Sequence, residues 1–524
     1  MSVTSRTTRP WLVLAILCLS LLLAVVDNTI VNVALPTLST ELAASTTQLQ
    51  WIVDSYTLVF AALLLPMGHF GDRFGRKRAL LLGLGLFAAT SALAAVSTTA
   101  GQLIGSRALM GVGAALLFPA TLAILVNVFT DTRQRAAAIG IWTACTGLAV
   151  AIGPITGGYL LEHFSWGAIF IVNIPVCAIA IALGFVFVPE SMDRAVGRMD
   201  FPGLVLSVAG VGLLIWTIIE APSWGWTSPT ILAALIGAIA ILCAFVFVES
   251  RTTRPLLDIT LFQNMRFSAA AISVTAAFFA LFGFIFLITQ FFQLVQGYSP
   301  LQAGIRTLPF AIATGVMSPL AILLMHRFGS KLVVATGLFV MALGFCLAAT
   351  VKADSPYFGI VVLSMILMAV GLALTTSPAT ESIMGSLPAE KAGVGSAVND
   401  TTREFGGTLG VAIVGSVFAS IYSAQVAQSL QALNLPPSAS IVIQESVGAG
   451  MSIASQLPAA VGAQVHMAIQ ESFISGMSIG SLVAAGVAFV GSLIVLRYLP
   501  ARSKPSLQGG EASSHALAAR AVEA

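Results

Sequence analysis

Fourteen times along this 524-residue chain, an apolar run of about twenty residues begins and ends at a charge, a proline or a glycine. Such a run, wound as an α-helix at ~1.5 Å per residue, spans the ~30 Å hydrocarbon core of a bilayer. The runs fall at 11–35, 49–69, 79–97, 101–127, 136–160, 167–188, 202–220, 229–248, 267–294, 300–325, 331–350, 356–378, 393–421 and 473–498. They are continuous rather than alternating tens, which excludes a membrane β-barrel. Only 9% of residues are charged, against about 25% in an ordinary soluble domain. Too few charges remain to cover a soluble fold of this size, and 57% hydrophobic residues exclude a disordered chain. The expected class is therefore an all-α polytopic membrane protein. Arg6 and Arg9 precede the first run as in a signal peptide. That run is too long for one, however, and holds Asp27 and Asn28, so it reads as a retained helix.

Positive charge supports the count independently. With the N-terminus inside, the inner segments hold 20 of the 24 Lys and Arg residues, from Arg6 and Arg9 to Arg502, Lys504 and Arg520. Lys352 alone falls outside, while Arg107, Arg306 and Arg403 lie within helices. One miscounted helix would scramble this asymmetry. An even number of spans places both termini in the cytoplasm. Residues 422–472, rich in Ser, Ala and Gln and broken at Pro436 and Pro437, form an outer loop able to make a helical hairpin over the outer mouth. The tail, 503–524, reads as disordered. The five cysteines all sit inside apolar runs and read as small core residues. No P-loop, catalytic Ser/His/Asp order or metal spacing occurs, so an enzyme or an ATP-driven pump is disfavoured. No cofactor, metal or nucleic acid is expected.

An internal repeat organises the spans. TLVFAA at 57–62 is echoed by TLPFAI at 307–312, and DRFGRK at 72–77 by HRFGSK at 326–331, with offsets of 250 and 254. Two homologous six-helix bundles with two extra helices between them give this spacing. The expected units are a bundle over 11–190, an inserted pair over 200–250 and a second bundle over 265–500. Parallel repeats about the membrane normal place a substrate site between the halves.

The motifs then carry a resemblance. GHFGDRFGRKRAL (68–80), RALMGVGAALLFP (107–119) and AVAIGPITGGYL (149–160) resemble three signatures of the major facilitator superfamily. LAVVDNTIVNVALP (23–36), SWGW (223–226), RPLLDITLF (254–262) and QGYSPLQAGIRTLP (296–309) resemble its fourteen-helix drug:proton antiporter branch. WIVDSYTL (51–58) and GSAVNDTTREFGGTLGVAIVGS (395–416) resemble the staphylococcal quaternary-ammonium exporter. Two departures stand out: Ala149 replaces the first glycine of the antiporter motif, and 310–319 lacks the acid that some relatives carry there.

Intramembrane charges are the strongest functional pointers, since each costs ~2.5–3.5 kcal/mol at the bilayer centre unless paired or wetted. Asp27, Asp54 and Arg107 lie at roughly 8–12 Å below the outer surface, so a proton-coupling cluster is expected there. Asn28 and Asn32 share one face of the first helix beside it. A plainer reading has Arg107 pairing with one acid merely to permit insertion. Asp400 and Glu404 are spaced i,i+4 nearer the inner half of helix 13, with Arg403 about 100° around. They are expected, with Asn28 and Asn32, to bind substrate; an internally compensated interfacial patch is the alternative. The resemblance implies that the 68–78 loop latches the halves on the cytoplasmic side, through Gly68, Asp72, Arg73, Gly75 and Arg76. Asp72 at a helix N-terminus would suit that role. It further implies that Gly153, Pro154, Gly157 and Gly158 make a bend and a tight seal against proton leak, where ordinary close helix packing is the simpler account.

Together these features predict a monomeric, proton-coupled multidrug efflux antiporter of the plasma membrane. Its partners are protons, membrane lipid and small amphipathic, cationic substrates. A dedicated exporter of one metabolite, antibiotic or lipid on the same scaffold is the alternative.

Overall fold

The computed structural model describes residues 9–192, 200–252, 255–387, 392–433 and 435–500. Among the described residues fourteen helices are long and apolar enough to cross a membrane, and no strand occurs. They are α1 (Pro10–Glu41), α2 (Thr46–Phe74), α3 (Arg76–Ala95), α4 (Ala100–Val128), α5 (Arg133–His163), α6 (Ala168–Phe187), α7 (Phe201–Trp224), α8 (Pro229–Arg251), α9 (Met265–Val295), α10 (Pro300–Phe328), α11 (Ser330–Ala348), α12 (Tyr357–Met384), α13 (Gly395–Leu430) and α14 (Ala459–Tyr498). The tail 503–524 lies outside the described residues, as do Arg6, Arg194, Arg198, Arg254, Lys391, Arg502, Lys504 and Arg520.

Local chemistry sets the helix ends twice over, once in each half. Capping boxes, Ser45 with Gln48 and Ser299 with Gln302, start α2 and α10. Both helices end on a glycine with positive φ, Gly75 at +118° and Gly329 at +84°, and the next helix begins at the following residue. A side chain there would strain the backbone. These are the glycines of the DRFG and HRFG strings. The likeness continues into packing: a Cβ on Gly83 of α3 would lie 2.8 Å from the Gly113 carbonyl of α4, and one on Gly337 of α11 would lie 2.8 Å from the Gly371 carbonyl of α12. Each half thus makes the same close crossing, of the kind small residues permit in membranes.

The inserted pair is peripheral. α8 buries only Ile231, Ala238 and Glu249 and exposes Ile236, Val246 and Phe247. α7 lies across the seam between the halves. Trp51 Nε1 of α2 donates to Glu220 at 3.0 Å, and Ser416 Oγ of α13 donates to the Ile218 carbonyl at 2.8 Å.

Several helices overrun their expected ends, among them α1, α13 and α14. α1 continues past 35 to Glu41, with Pro36 inside it. Proline has no N–H for the carbonyl of residue 32. Thr289 Oγ1 of α9 replaces that donor at 2.7 Å, and Gln293 Nε2 caps the Val33 carbonyl at 2.8 Å. α13 and α14 reach well outside the ~30 Å core, being 36 and 40 residues long. Polar Ser/Gln/Ala sequence remains helical there because Tyr422, Val426 and Leu430 face Val465, Ile469 and Phe473 in one buried stripe. The connecting segment therefore shrinks from 422–472 to 431–458, with short helices at Pro437–Glu445 and Val447–Gln456.

Candidate functional site

Asp27, Asp54 and Arg107 are all fully buried. Seven residues from the start of α4, Arg107 points into the amino-terminal bundle. One Nη donates to Asp27 Oδ2, and its Nε donates to the Ile52 carbonyl at 3.2 Å. Its guanidinium lies 4.3 Å from the centre of the Tyr56 ring, and Tyr56 in turn donates to the Ala24 carbonyl at 3.2 Å. The cation is thus clamped between an acid on α1 and an aromatic face on α2. Asp54 takes no part in this pair. Its Oδ1 accepts only a long bond from Thr57, 3.5 Å, and its Oδ2 has no partner. The cluster expected from depth resolves into an ion pair and a separate lone acid.

Asn32 turns back to donate to the Asn28 carbonyl at 3.0 Å, whereas buried Asn28 leaves its Oδ1 without a partner. On α13, Asp400 Oδ1 lies 4.0 Å from Arg403 and accepts from Asn399 at 3.4 Å. Arg403 also donates to Thr380 of α12 and stands 5.5 Å from the Phe278 ring of α9. Glu404 is left with Oε2 unpartnered and buried. Of the two acids, only Asp400 makes an ion pair on its own helix among the described residues.

Among the described residues, the hydrogen bonds between the two halves gather toward one side. Toward the outer ends, Thr46 Oγ1 donates to the Glu445 carbonyl at 3.1 Å, and Ser446 Oγ to the Ala44 carbonyl at 2.9 Å. Gln50 Nε2 of α2 reaches the Val411 and Ala412 carbonyls and Ser416 Oγ of α13, at 3.1–3.3 Å. The antiporter-motif residues belong to this closure. Gly153 and Gly157 seat α5 against Thr29 and Ile30 of α1, beside Asp27. A Cβ on Gly158 would lie 2.5 Å from Leu301 Cα of α10, and Gly304 of α10 rests on the Pro154 carbonyl. The innermost cross-half hydrogen bond among the described residues is Thr57–Thr408, 3.1 Å, about 16 Å in from the start of α2. Among the described residues, no hydrogen bond joins the halves at the end that carries the 68–78 loop, whereas several join them at the opposite end.

The 68–78 loop agrees with that distribution. Asp72 pairs with Arg76 at 2.8 Å, and Arg78 lies 3.6 Å from Glu190. Glu190 also accepts from the Lys77 amide at 3.1 Å, Lys77 Nζ donates to the Phe185 carbonyl at 2.7 Å, and Gly68 lies over Pro119. Arg73 stands 5.4 Å from the Phe74 ring. Every one of these partners lies in the amino-terminal half. Asp72 sits in the last turn of α2, not at a helix N-terminus. An acid is unfavourable at that end of the helix dipole, and Arg76 offsets it.

The outer closure gives a direct expectation. Thr289→Val removes the donor to the carbonyl that Pro36 frees, at a net cost of ~1 kcal/mol to the closed arrangement. The outward-open population should rise about fivefold, read as spin-label distances between the outer ends of α1 and α9. An unchanged distribution would show that this bond does not hold the seam.

Reading charge alone missed Asn173, Ser91, Tyr56 and Gln50. A polar side chain within an apolar run was their only signal. Asn173 Nδ2 of α6 donates to Asp27 Oδ1 at 2.8 Å and lies 3.3 Å from Ser91 Oγ of α3.

Two pseudo-equivalent six-helix bundles, closed on one side around buried charge, define a membrane transporter of the alternating-access class. The Major Facilitator Superfamily model matches residues 17–411. The chain belongs to that superfamily, which makes it a multi-pass transporter of small molecules and not an enzyme. It is 38% identical over 464 residues to the multidrug efflux pump LfrA of Mycolicibacterium smegmatis, covering 88% of this chain and 91% of that one. It is 34% identical over 460 residues to the methyl viologen resistance protein SmvA of Salmonella typhimurium, covering 87% and 92%. Among solved structures, a bacterial homologue of the human lysosomal transporter Spinster, inward-facing and unoccupied, superposes with a TM-score of 0.65 at 16% identity. That match covers 96% of this chain and all of the other.

Proposed function

We propose that this protein is a proton-coupled multidrug efflux antiporter of the plasma membrane, acting as a monomer with both termini in the cytoplasm. The relatives' names, a multidrug efflux pump and a methyl viologen resistance protein, support export of amphipathic cations. The observation that carries the coupling is the buried Asp27–Arg107 pair, set beside the α1–α5 contact that the outer closure uses.

In the inward-parted state Arg107 neutralises Asp27, so no proton is needed there, and a cationic drug can enter from the cytoplasm toward Asp54 and Glu404. Once the outer seam opens, a proton arriving from outside neutralises Asp27 and frees Arg107. The released cation then disfavours a second positive charge nearby, which favours drug exit. Closing outside and releasing the proton inward restores the pair. The bonds of Gln50, Thr289 and Gln293 must break and reform in each cycle.

The test is transport into proteoliposomes whose lumen corresponds to the outer side. A lumen-acid gradient should drive uptake of both a fluorescent cationic dye and methyl viologen, while a sodium gradient at equal pH should not. Sodium-driven uptake would reassign the coupling ion. Uptake of only one compound among chemically unrelated ones would favour a dedicated exporter.

A further inference from the structure

We propose that Asn173 is a positioning residue for the Asp27 carboxyl, and that its amide serves both protonation states of that acid. The inference rests on the reading of Asp27 as the coupling acid.

Asn173 lies five residues into α6 and is 2% exposed. Its Nδ2 bridges two helices, to Asp27 Oδ1 on α1 at 2.8 Å and to Ser91 Oγ on α3 at 3.3 Å. Arg107 occupies the other oxygen, Oδ2. The remaining titratable groups around Asp27 are Tyr56 from α2 and Cys177 from α6 itself. Tyr56 spends its hydroxyl hydrogen on the Ala24 carbonyl.

These partners differ in what they can do when the acid takes up a proton. A guanidinium only donates, so Arg107 suits the carboxylate alone. A protonated Asp27 needs an acceptor for its new O–H, since a buried unmet donor is costly. An amide carries both chemistries. Turned by 180° about its last bond, Asn173 presents Oδ1 to the Asp27 hydroxyl, and Ser91 can reverse from acceptor to donor in step. This arrangement holds one oxygen of Asp27 in place through the cycle while Arg107 engages and leaves the other. No proton passes through Asn173; it remains on Asp27.

The test is the pH dependence of gradient-driven dye transport by Asn173→Ala, Asn173→Asp and Ser91→Ala in the full-length protein. Losing a donor costs the ionised acid more than the protonated one. Half-maximal coupling should therefore move to higher pH by about one unit in Asn173→Ala. It should move further in Asn173→Asp, which sets a second acid against the first, and less in Ser91→Ala. Asn173→Asp keeps the size and shape of the native side chain and remains decisive if the alanine variant does not fold. Ser91→Ala leaves Asn173 in place and provides a third reading. A native pH profile in any folded Asn173 variant overturns the proposal. Asp27→Asn run in parallel separates the two ideas. Persistent gradient-driven efflux in that variant removes Asp27 as the coupling acid, whereas its loss alongside a native Asn173→Ala profile rejects only the role of Asn173.

Discussion

Asp27→Asn should reduce gradient-driven efflux to background while the protein is still made. An amide does not titrate, so the site can no longer exchange a proton for the drug. The geometry sharpens the design of the experiment. Asp27 is the only carboxylate that Arg107 touches among the described residues, and Arg107 is fully buried. Removing one member of a buried pair leaves the other uncompensated, at a cost of ~3–5 kcal/mol. A loss of transport by Asp27→Asn alone could then reflect poor folding. The paired change Asp27→Asn with Arg107→Gln takes both charges out together, and such replacements are often near neutral for stability. The double variant should accumulate normally and bind dye, yet show no response to an imposed pH gradient. Gradient-driven efflux by either folded variant would reject Asp27 as the coupling site and leave the pair as a device for inserting Arg107 into the membrane.

Fold and site were legible to different depths, for physical reasons. Spans and repeat were readable because the bilayer imposes length and apolarity on every crossing, and because Gly75 and Gly329 sit at the same left-handed helix ends in both halves. The ends of α1, α13 and α14 were not. Outside the bilayer, polarity no longer marks where a helix stops, and burial of Tyr422 against its neighbours decides instead. At the site, charge revealed Asp27, Asp54 and Arg107 as costly residues, and depth placed them at one level. Depth does not fix azimuth. Asp54 lies two residues before Tyr56, so its side chain projects roughly 160° around the helix from it. Tyr56 meets Arg107, while Asp54 finds only Thr57, whose hydroxyl touches Thr408 of the other half. Asn173 was hidden for a different reason. One neutral amide in an apolar run carries little insertion cost, and only the third dimension shows that it ends on the same carboxylate as Arg107.

The acids of α13 should determine which substrates are carried, and unequally. A cation entering low-dielectric surroundings must replace its lost hydration, which a carboxylate can do and a neutral wall cannot. Asp400 and Glu404 stand one turn apart, but Arg403 lies 4.0 Å from Asp400, whereas Glu404 Oε2 is buried without a partner. The carboxyl left for a drug to pair with is therefore Glu404, and an arriving cation favours its charged form. It lies within electrostatic reach of Tyr56, close to the coupling pair. Glu404→Gln preserves shape and removes that charge, so export of a cationic dye should fall by about tenfold or more, equivalent to ~1.4 kcal/mol of lost stabilisation. Asp400→Asn should cost less, because Arg403 already offsets the charge it removes. A neutral substrate should still be pumped by both variants, with its proton coupling intact, since Asp27 and Arg107 are untouched. Parallel efflux of one cationic and one neutral compound from cells expressing each variant provides the measurement. Equal loss of both compounds would move Glu404 into the coupling machinery. Loss of neither would make the α13 charges a compensated patch, and equal loss of the cation alone in the two variants would show that Arg403 does not hold Asp400 during transport.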